Sequence, residues 1–206
     1  MPKVSIIVLN FNGRKQLAAN LPSVLQNHFG PNEIIVVDNA STDDSLAFLK
    51  NNFPEIRIIS LDKNHSFCRG LNEGAKAATG ELLYFLNSDV SLSPGSLNDI
   101  IKHFDDPNVF GVSPKVIRPS QNNINESIIV GDFAGGIINA KFTKTQTLKL
   151  PNVSLEVFSV CGAAFMVDKK KFLEIGGLDE MLHPFYYEET DLSYRVLKYG
   201  WKLIYE

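Results

Sequence analysis

The sequence predicts an α/β fold, with an open, mostly parallel sheet, helices on both faces, and a second half elaborated beyond that plan. Three observations predict it. Five short apolar runs rich in β-branched and aromatic residues recur at residues 4–9, 34–37, 56–59, 82–86 and 109–112, and such runs favour strand over helix. The segments between the runs carry helical spacing instead. The 206 residues are 44% hydrophobic and 21% charged, ordinary for a globular chain and too apolar for disorder.

Residues 4–9, 34–37 and 82–86 are almost continuously apolar, as strands covered on both faces of a parallel sheet must be. Between the first two, Leu17, Leu21 and Leu25 recur one turn apart and predict a helix over Arg14–Gln26. Ser41-Thr42-Asp43-Asp44 ahead of Leu46, Phe48 and Leu49 supplies capping side chains for a second. Residues 66–78 predict a third, and residues 93–104, opening on Ser93-Pro94, a fourth with proline near its first turn. Strand–helix alternation at this spacing implies βαβ units and a Rossmann-like sheet.

The pattern changes after Val116. Residues 118–156 are polar, and Asn122-Asn123-Ile124-Asn125 and Gly135-Gly136 break any periodicity, which predicts loops and irregular antiparallel strands. Residues 157–167 form a long apolar run centred on Cys161-Gly162-Ala163-Ala164. A short helix over residues 168–175 is closed by Gly176-Gly177, and the last, over residues 189–199, is stopped by Gly200. Residues 201–205 read as a closing strand with nothing after it to cover it, so an exposed sheet edge is expected. With no internal repeat, one domain spanning residues 1–206 is predicted, in halves 1–116 and 117–206.

Composition excludes several function classes. A net charge of −3 argues against nucleic acid as a partner, since phosphate-backbone affinity needs a surplus of Lys and Arg. No apolar run approaches the roughly 18 residues of a transmembrane helix. Met1-Pro2-Lys3 leads into a short apolar run without a small-residue cleavage site, so no secretory signal is predicted. Cys68 and Cys161 lack metal-ligand spacing and read as buried thiols of a reducing compartment. The expected location is cytoplasmic. Charge is uneven near the end: residues 141–172 hold six lysines against Glu156 and Asp168, while residues 173–191 hold six carboxylates and no Lys or Arg. The lysine stretch permits peripheral contact with an anionic membrane surface, although a solvated face is the commoner outcome.

In open α/β sheets, ligands bind beyond the carboxyl ends of the strands. Asn10 follows the first predicted strand, Asp38-Asn39 the second and Asn87-Ser88-Asp89 the fourth. Asp38 either accepts hydrogen bonds from a ribose or base or makes an Asx turn. The first turn, Asn10-Phe11-Asn12-Gly13, lacks both G-x-G-x-x-G and G-x-x-x-x-G-K-[ST], which disfavours a dinucleotide enzyme and a P-loop nucleotidase. Gly70 and Gly74, one turn apart, permit close approach of either a backbone or a ligand, and the helix start near Asn64 would favour a diphosphate. A carboxylate at Asp89 can hold Mg²⁺ or Mn²⁺ against substrate phosphates, because such ions take most ligands from water and phosphate. Glu188, Glu189 and Asp191 exceed what the dipole of a first helical turn calls for, so one is a candidate general base. The flanking aromatics Phe185, Tyr186 and Tyr187 would raise its proton affinity.

Taken in series, "VSIIVLNFNG" (4–13), "IIVVDNASTDDS" (34–45), "NHSFCRGLNEGAKAATGELLYFLNSDV" (64–90) and "CGAAFMVDKKKFLEIGGLDEMLHPFYYEETDLSYRVLKYGW" (161–201) resemble the family 2 glycosyltransferases, the inverting group with the GT-A fold. The resemblance implies transfer of a sugar from a nucleoside-diphosphate sugar, of UDP or dTDP type, to a saccharide or lipid-linked hydroxyl acceptor. Bacterial surface polysaccharide synthesis would be the typical setting. It implies that residues 1–116 bind nucleotide and residues 117–206 carry the catalytic and acceptor half. Asn10, Asp38, Asn64, Gly70, Asn72, Asn87 and Asp89 would then form the nucleotide site. Asn87-Ser88-Asp89 stands at the family's D-x-D position, with Asp89 as metal ligand, and its N-x-D form is similar to the rhamnosyltransferase-like and galactofuranosyltransferase-like branches. Glu188-Glu189 matches the "ED" pair, which makes Glu189 the base although relatives more often carry Asp there. Gly162 and Ala163 match a segment near the donor sugar and acceptor.

Many relatives continue to a His that completes the metal site, whereas this sequence ends at Glu206. The resemblance therefore implies a shortened catalytic half that binds metal only together with nucleotide and turns over poorly, and the uncovered closing strand adds an expectation of self-association. Two other readings compete: a nucleotidyltransferase, which would need a basic, glycine-rich loop after the first strand, and a nucleotide-sugar-binding domain without turnover.

Overall fold

A computed structural model describes residues 2–27, 32–118, 124–125, 127–135, 137–142, 145–146, 154–182 and 186–206. The expectations for Asn122, Asn123, Gly136, Lys144, Lys149 and Phe185 lie outside the described residues. The first half runs β1 (Val4–Asn10), α1 (Arg14–Gln26), β2 (Glu33–Asp38), α2 (Ser45–Asn52), β3 (Arg57–Ser60), α3 (Phe67–Ala77), β4 (Leu82–Asn87), α4 (Ser96–Ile101) and β5 (Val109–Ser113). The second half adds the short strands β6 (Ile117–Arg118), β7 (Ile124–Asn125), β8 (Ile129–Ala134), β9 (Ile137–Phe142), β10 (Thr145–Gln146) and β11 (Leu155–Glu156). It closes with β12 (Ala164–Asp168), α5 (Lys169–Glu174), α6 (Glu188–Lys198) and β13 (Lys202–Tyr205).

Eight strands form the main sheet in the order β11-β13-β5-β12-β4-β1-β2-β3. Strands β3, β2, β1 and β4 run parallel, while β12 enters antiparallel between β4 and β5. The continuous apolar character of β1, β2 and β4 is used on both faces. Val4, Ile6 and Val8 pack with Leu17 and Leu21 of α1 and Leu49 of α2, whereas Ile7, Ile35, Val37 and Phe85 pack with Leu71 of α3, Phe172 of α5 and Leu192 of α6. The chain winds outward from β1 to β3 and then returns to place β4 on the other flank of β1. Strand order therefore reverses between β1 and β4, which is where an open α/β sheet leaves a crevice at its C-terminal edge.

Two expectations are corrected. Strand β13 is not an exposed edge: it lies between β5 and β11, with Leu203 and Tyr205 buried. The preceding chain, folded back as β11, supplies the cover expected to be missing. The fourth helix does not begin at Ser93-Pro94. Gly95, at φ 77°, ends a turn closed by the Ser96 N–H donating to the Ser93 carbonyl at 3.2 Å, so the helix starts at Ser96 and tightens to a 3₁₀ turn over Lys102–Asp105. The described parts of residues 118–156 are short antiparallel strands, as their broken periodicity predicts.

Candidate active site

The first two βα turns are laced together. Asn10 stands opposite Asp38 across β1 and β2, and both are fully buried. Asn10 Nδ2 donates to Asp38 Oδ1 at 2.9 Å, the Ser41 hydroxyl donates to the same oxygen at 2.6 Å, and the Ser41 N–H donates to Asp38 Oδ2 at 3.0 Å. Asn12, at φ 51°, accepts the Thr42 and Asp43 N–H groups on its Oδ1. Asp38 thus makes the Asx-type turn that was its structural alternative.

In front of this lacework, at the strand-order reversal, lies a cavity of about 480 Å³ lined by Leu9, Phe11, Gly13, Gln16, Asn39, Asn64, Ser66, Phe67, Asn87, Ser88 and Asp89. Of the predicted nucleotide set, Asn64, Asn87 and Asp89 line it. Gly13 is required there, because a Cβ would come within 2.3 Å of Asn10 Oδ1 and 2.9 Å of Ser88 Oγ. Asn39 braces the far wall: its Nδ2 donates to Asn64 Oδ1 at 3.0 Å and to the Ser66 carbonyl at 3.1 Å, and its Oδ1 accepts the His65 N–H.

The 87–89 motif is held from two sides. Asn20 Nδ2 of α1 donates to the Ser88 carbonyl at 3.1 Å, and the Asn87 N–H donates to the Ala163 carbonyl at 3.1 Å. The second bond ties the motif to the Gly162-Ala163 turn. That turn is itself pinned, with the Cys161 N–H donating to Ser113 Oγ and the Val160 N–H to Ser193 Oγ. Gly162 leaves room for a carboxyl: a Cβ there would lie 3.2 Å from Glu189 Oε1 and 3.3 Å from its Cδ. The Glu189 carboxyl thus occupies the space a Gly162 side chain would fill, and the next residue, Ala163, is hydrogen-bonded to Asn87, two positions from Asp89. Burial pushes the Glu189 carboxyl above the usual range, with the charge of Glu188 adding to the rise. Glu188 is buried, and its Oε2 has no hydrogen-bond partner among the described residues. Tyr186 and Tyr187, at φ 86° and 72°, hold an unfavourable left-handed backbone ahead of α6, the kind of strain that collects at functional sites.

Other predicted residues serve the frame. Asp191 is not part of these contacts. It pairs with Arg195 at 2.7 Å, and that guanidinium also donates to the Ile175 and Gly177 carbonyls at 2.8 Å. Asn72 exchanges hydrogen bonds with both backbone groups of Leu178 and donates to Glu180, clasping α3 to the segment after α5. Gly70 and Gly74 answer the packing alternative, since a Cβ would lie 2.5 Å from Leu9 Cδ1 and 2.6 Å from Ile7 Cγ2 respectively. Cys68 is an inert thiol, pushed up to about 12 by burial and by the charges of Glu188, Asp179 and Glu180. Sequence reasoning missed Ser66 and Arg195 as parts of the site and its frame. Only the second left a signal, the i, i+4 spacing from Asp191.

A metal is implied by the motif, and the residues fit one of a particular kind. Among the described residues no group of three His, Cys, Asp or Glu stands together. Asp89 is a carboxylate flanked by the neutral oxygens of Asn87 and Ser88 at the cavity, a donor set suited to a hard cation that brings water and phosphate ligands.

An open α/β sheet with an antiparallel strand inserted beside the reversal, and a cavity at that reversal, is the architecture of the GT-A glycosyltransferases. The family model for Glycosyl transferase family 2 matches residues 5–176, and the chain belongs to that family. It is 30% identical over 87% of its length to the O-antigen biosynthesis protein RfbC of Myxococcus xanthus, of which it covers 15%. It is 26% identical over 92% of its length to the GalNAc(5)-diNAcBac-PP-undecaprenol beta-1,3-glucosyltransferase of Campylobacter jejuni, of which it covers 61%. Its fold superposes on GalNAc-T7, solved with UDP, GalNAc and Mn²⁺, with a TM-score of 0.80 at 15% identity, across all of this chain and 42% of that one. The chain thus spans less than two thirds of each of these proteins.

Proposed function

We propose that this chain is the catalytic domain of an inverting glycosyltransferase that uses a nucleoside-diphosphate sugar of UDP or dTDP type. The contact that carries the reading is the Glu189 carboxyl against Gly162, one bonded step from the Asp89 motif. Glu189 takes the proton from the acceptor hydroxyl, whose oxygen forms a bond to the anomeric carbon as the bond from that carbon to the diphosphate oxygen breaks on the opposite face. The products are the inverted glycoside and the nucleoside diphosphate. A single displacement needs no enzyme nucleophile, and burial raises Glu189 toward the range useful to a base. Asp89, with Asn87 and Ser88 beside it, would hold Mg²⁺ or Mn²⁺, which when bound offsets charge on the leaving diphosphate. No basic side chain lines the cavity among the described residues, which speaks against a nucleotidyltransferase gripping a triphosphate.

A saccharide or lipid-linked acceptor in bacterial polysaccharide synthesis is consistent with the names of the two bacterial relatives. Among the described residues no helix is long and apolar enough to cross a membrane. Peripheral contact would draw on fewer lysines than the sequence suggests, because Lys169 and Lys171 donate to the Ala78, Pro107 and Val109 carbonyls.

The reading is tested by incubating the protein with UDP- and dTDP-sugars, Mn²⁺ and an acceptor panel, and following nucleotide release and product anomer. Release with inversion, lost in Asp89→Ala and Glu189→Gln, is expected. Release at wild-type rate in both variants would end the proposal, and nucleotide binding without turnover would favour the binding-domain alternative.

A further inference from the structure

Ser66 is the one residue at the cavity that combines three uncommon properties. Its backbone stands at φ 87°, ψ 172°, a region that is essentially glycine's alone and strained for other residues. Its backbone is fixed there by two asparagines, with the Ser66 N–H donating to Asn64 Oδ1 and its carbonyl accepting from Asn39 Nδ2. The residue is 5% exposed at the cavity wall, and its buried Oγ has no hydrogen-bond partner among the described residues. Glycine would remove the strain, and alanine would remove the orphan hydroxyl. Neither structural economy has been taken.

We propose that Ser66 is a specificity-determining residue whose hydroxyl hydrogen-bonds the base of the bound nucleotide, an inference that rests on the nucleotide-sugar reading above. The surroundings select the base rather than the phosphates. Apart from Asp89, the lining is uncharged, and the rings of Phe11 and Phe67 share the cavity with the Asn39–Asn64–Ser66 cluster. Aromatic faces and neutral donors and acceptors suit a heterocycle and its polar edge, whereas a diphosphate calls for cationic partners and belongs with the metal at the Asp89 end. A serine hydroxyl both donates and accepts, and a single χ1 torsion orients it. Ligand arrival thus gives Oγ the partner it lacks.

The test measures thermal stability and binding of uridine and of UDP, the latter with Mn²⁺, for wild type, Ser66→Ala and Ser66→Gly. Ser66→Gly is expected to raise the melting temperature by about 2–4 °C through relief of strain, and Ser66→Ala should not lower it. Both should weaken uridine and UDP alike by about 3- to 10-fold, the worth of one hydrogen bond. A hydroxyl with a purely structural role would give the opposite sign in stability. Equal affinity of wild type and Ser66→Ala would overturn the proposal while leaving the nucleotide reading intact. A loss confined to UDP would place the hydroxyl at the phosphates and also overturn it. A wild type that binds neither uridine nor UDP, and neither thymidine nor dTDP with Mn²⁺, would sink both this proposal and the reading beneath it.

Discussion

At Glu189 the proposed role as base and the stability of the fold pull in opposite directions. Its carboxyl has a higher proton affinity in the folded chain than in the unfolded one because burial disfavours the charge. Folding therefore takes up a proton between the unfolded and folded values, so the stability owed to this group falls as pH rises through that window and returns as pH falls. Glu189→Gln should consequently melt higher than wild type at pH 7, and the gap should close as the pH approaches the ordinary carboxylate range. The same substitution should cost about 10²- to 10⁴-fold in kcat, the usual share of a general base. A variant less stable than wild type at pH 7 would refute the desolvated setting. Asp191, two positions on, should behave in reverse: Asp191→Asn should leave turnover within about threefold while lowering stability by about 1–2 kcal/mol, because it loses a charge-assisted pair with Arg195. Residue type and spacing alone leave all three carboxylates of this turn as candidates, and only the family resemblance singles out Glu189. Which one meets Gly162 and which meets Arg195 depends on what lies beside α6, and that is decided by contacts with residues 160–163 and 175–177 far off in the chain.

Elements with one dominant environment were legible, and those whose environment comes from elsewhere were not. The boundaries of β1, β2 and β4 follow from runs buried on both faces, and α1 spans Arg14–Gln26 as its leucine spacing predicts. β13 was misjudged as an edge because its cover, β11, is only two residues long and carries no periodicity of its own. The glycines of α3 admitted both a ligand and a packing role, and only the distances separate them. Gly74→Ala should destabilise by about 1–3 kcal/mol, as overpacking does, since its Cβ would meet Ile7 Cγ2 at 2.6 Å and Val37 Cγ2 at 3.0 Å. Ile7→Ala removes the nearer atom, so the double variant should lose less stability than the two single losses added, a coupling read from urea denaturation. Strict additivity would show that α3 stands away from β1 at that point.

Across the whole molecule the site joins both halves of the chain: the cavity is built on β1, β2 and β4, while Glu189 and Gly162 arrive from residues 160–190. Sequence reasoning singled out Asp89, Gly162 and Glu189 because the motifs that carry the resemblance are local. It could not weigh the Asn10–Asp38–Ser41 lacework against a ligand role for the same atoms, since both uses ask for the same residue types. The donor set at Asp89 fixes how metal and nucleotide should act on global stability. A lone exposed carboxylate with neutral oxygens gives Mn²⁺ too few protein ligands to bind firmly by itself, whereas a diphosphate supplies the missing oxygens. A ligand that binds only the folded state stabilises by RT ln(1 + [L]/Kd), about 2.7 kcal/mol at a hundred times Kd, which corresponds to roughly 5–10 °C in a chain of this size. Mn²⁺ alone at millimolar concentration should therefore leave the melting temperature unchanged, UDP alone should raise it modestly, and the two together should exceed the sum of their separate shifts. Chelation with EDTA should return the mixture to the UDP-only value, and Asp89→Ala should abolish the excess while keeping the UDP-only shift. A full shift from Mn²⁺ alone, or an excess that survives in Asp89→Ala, would place the metal on other residues.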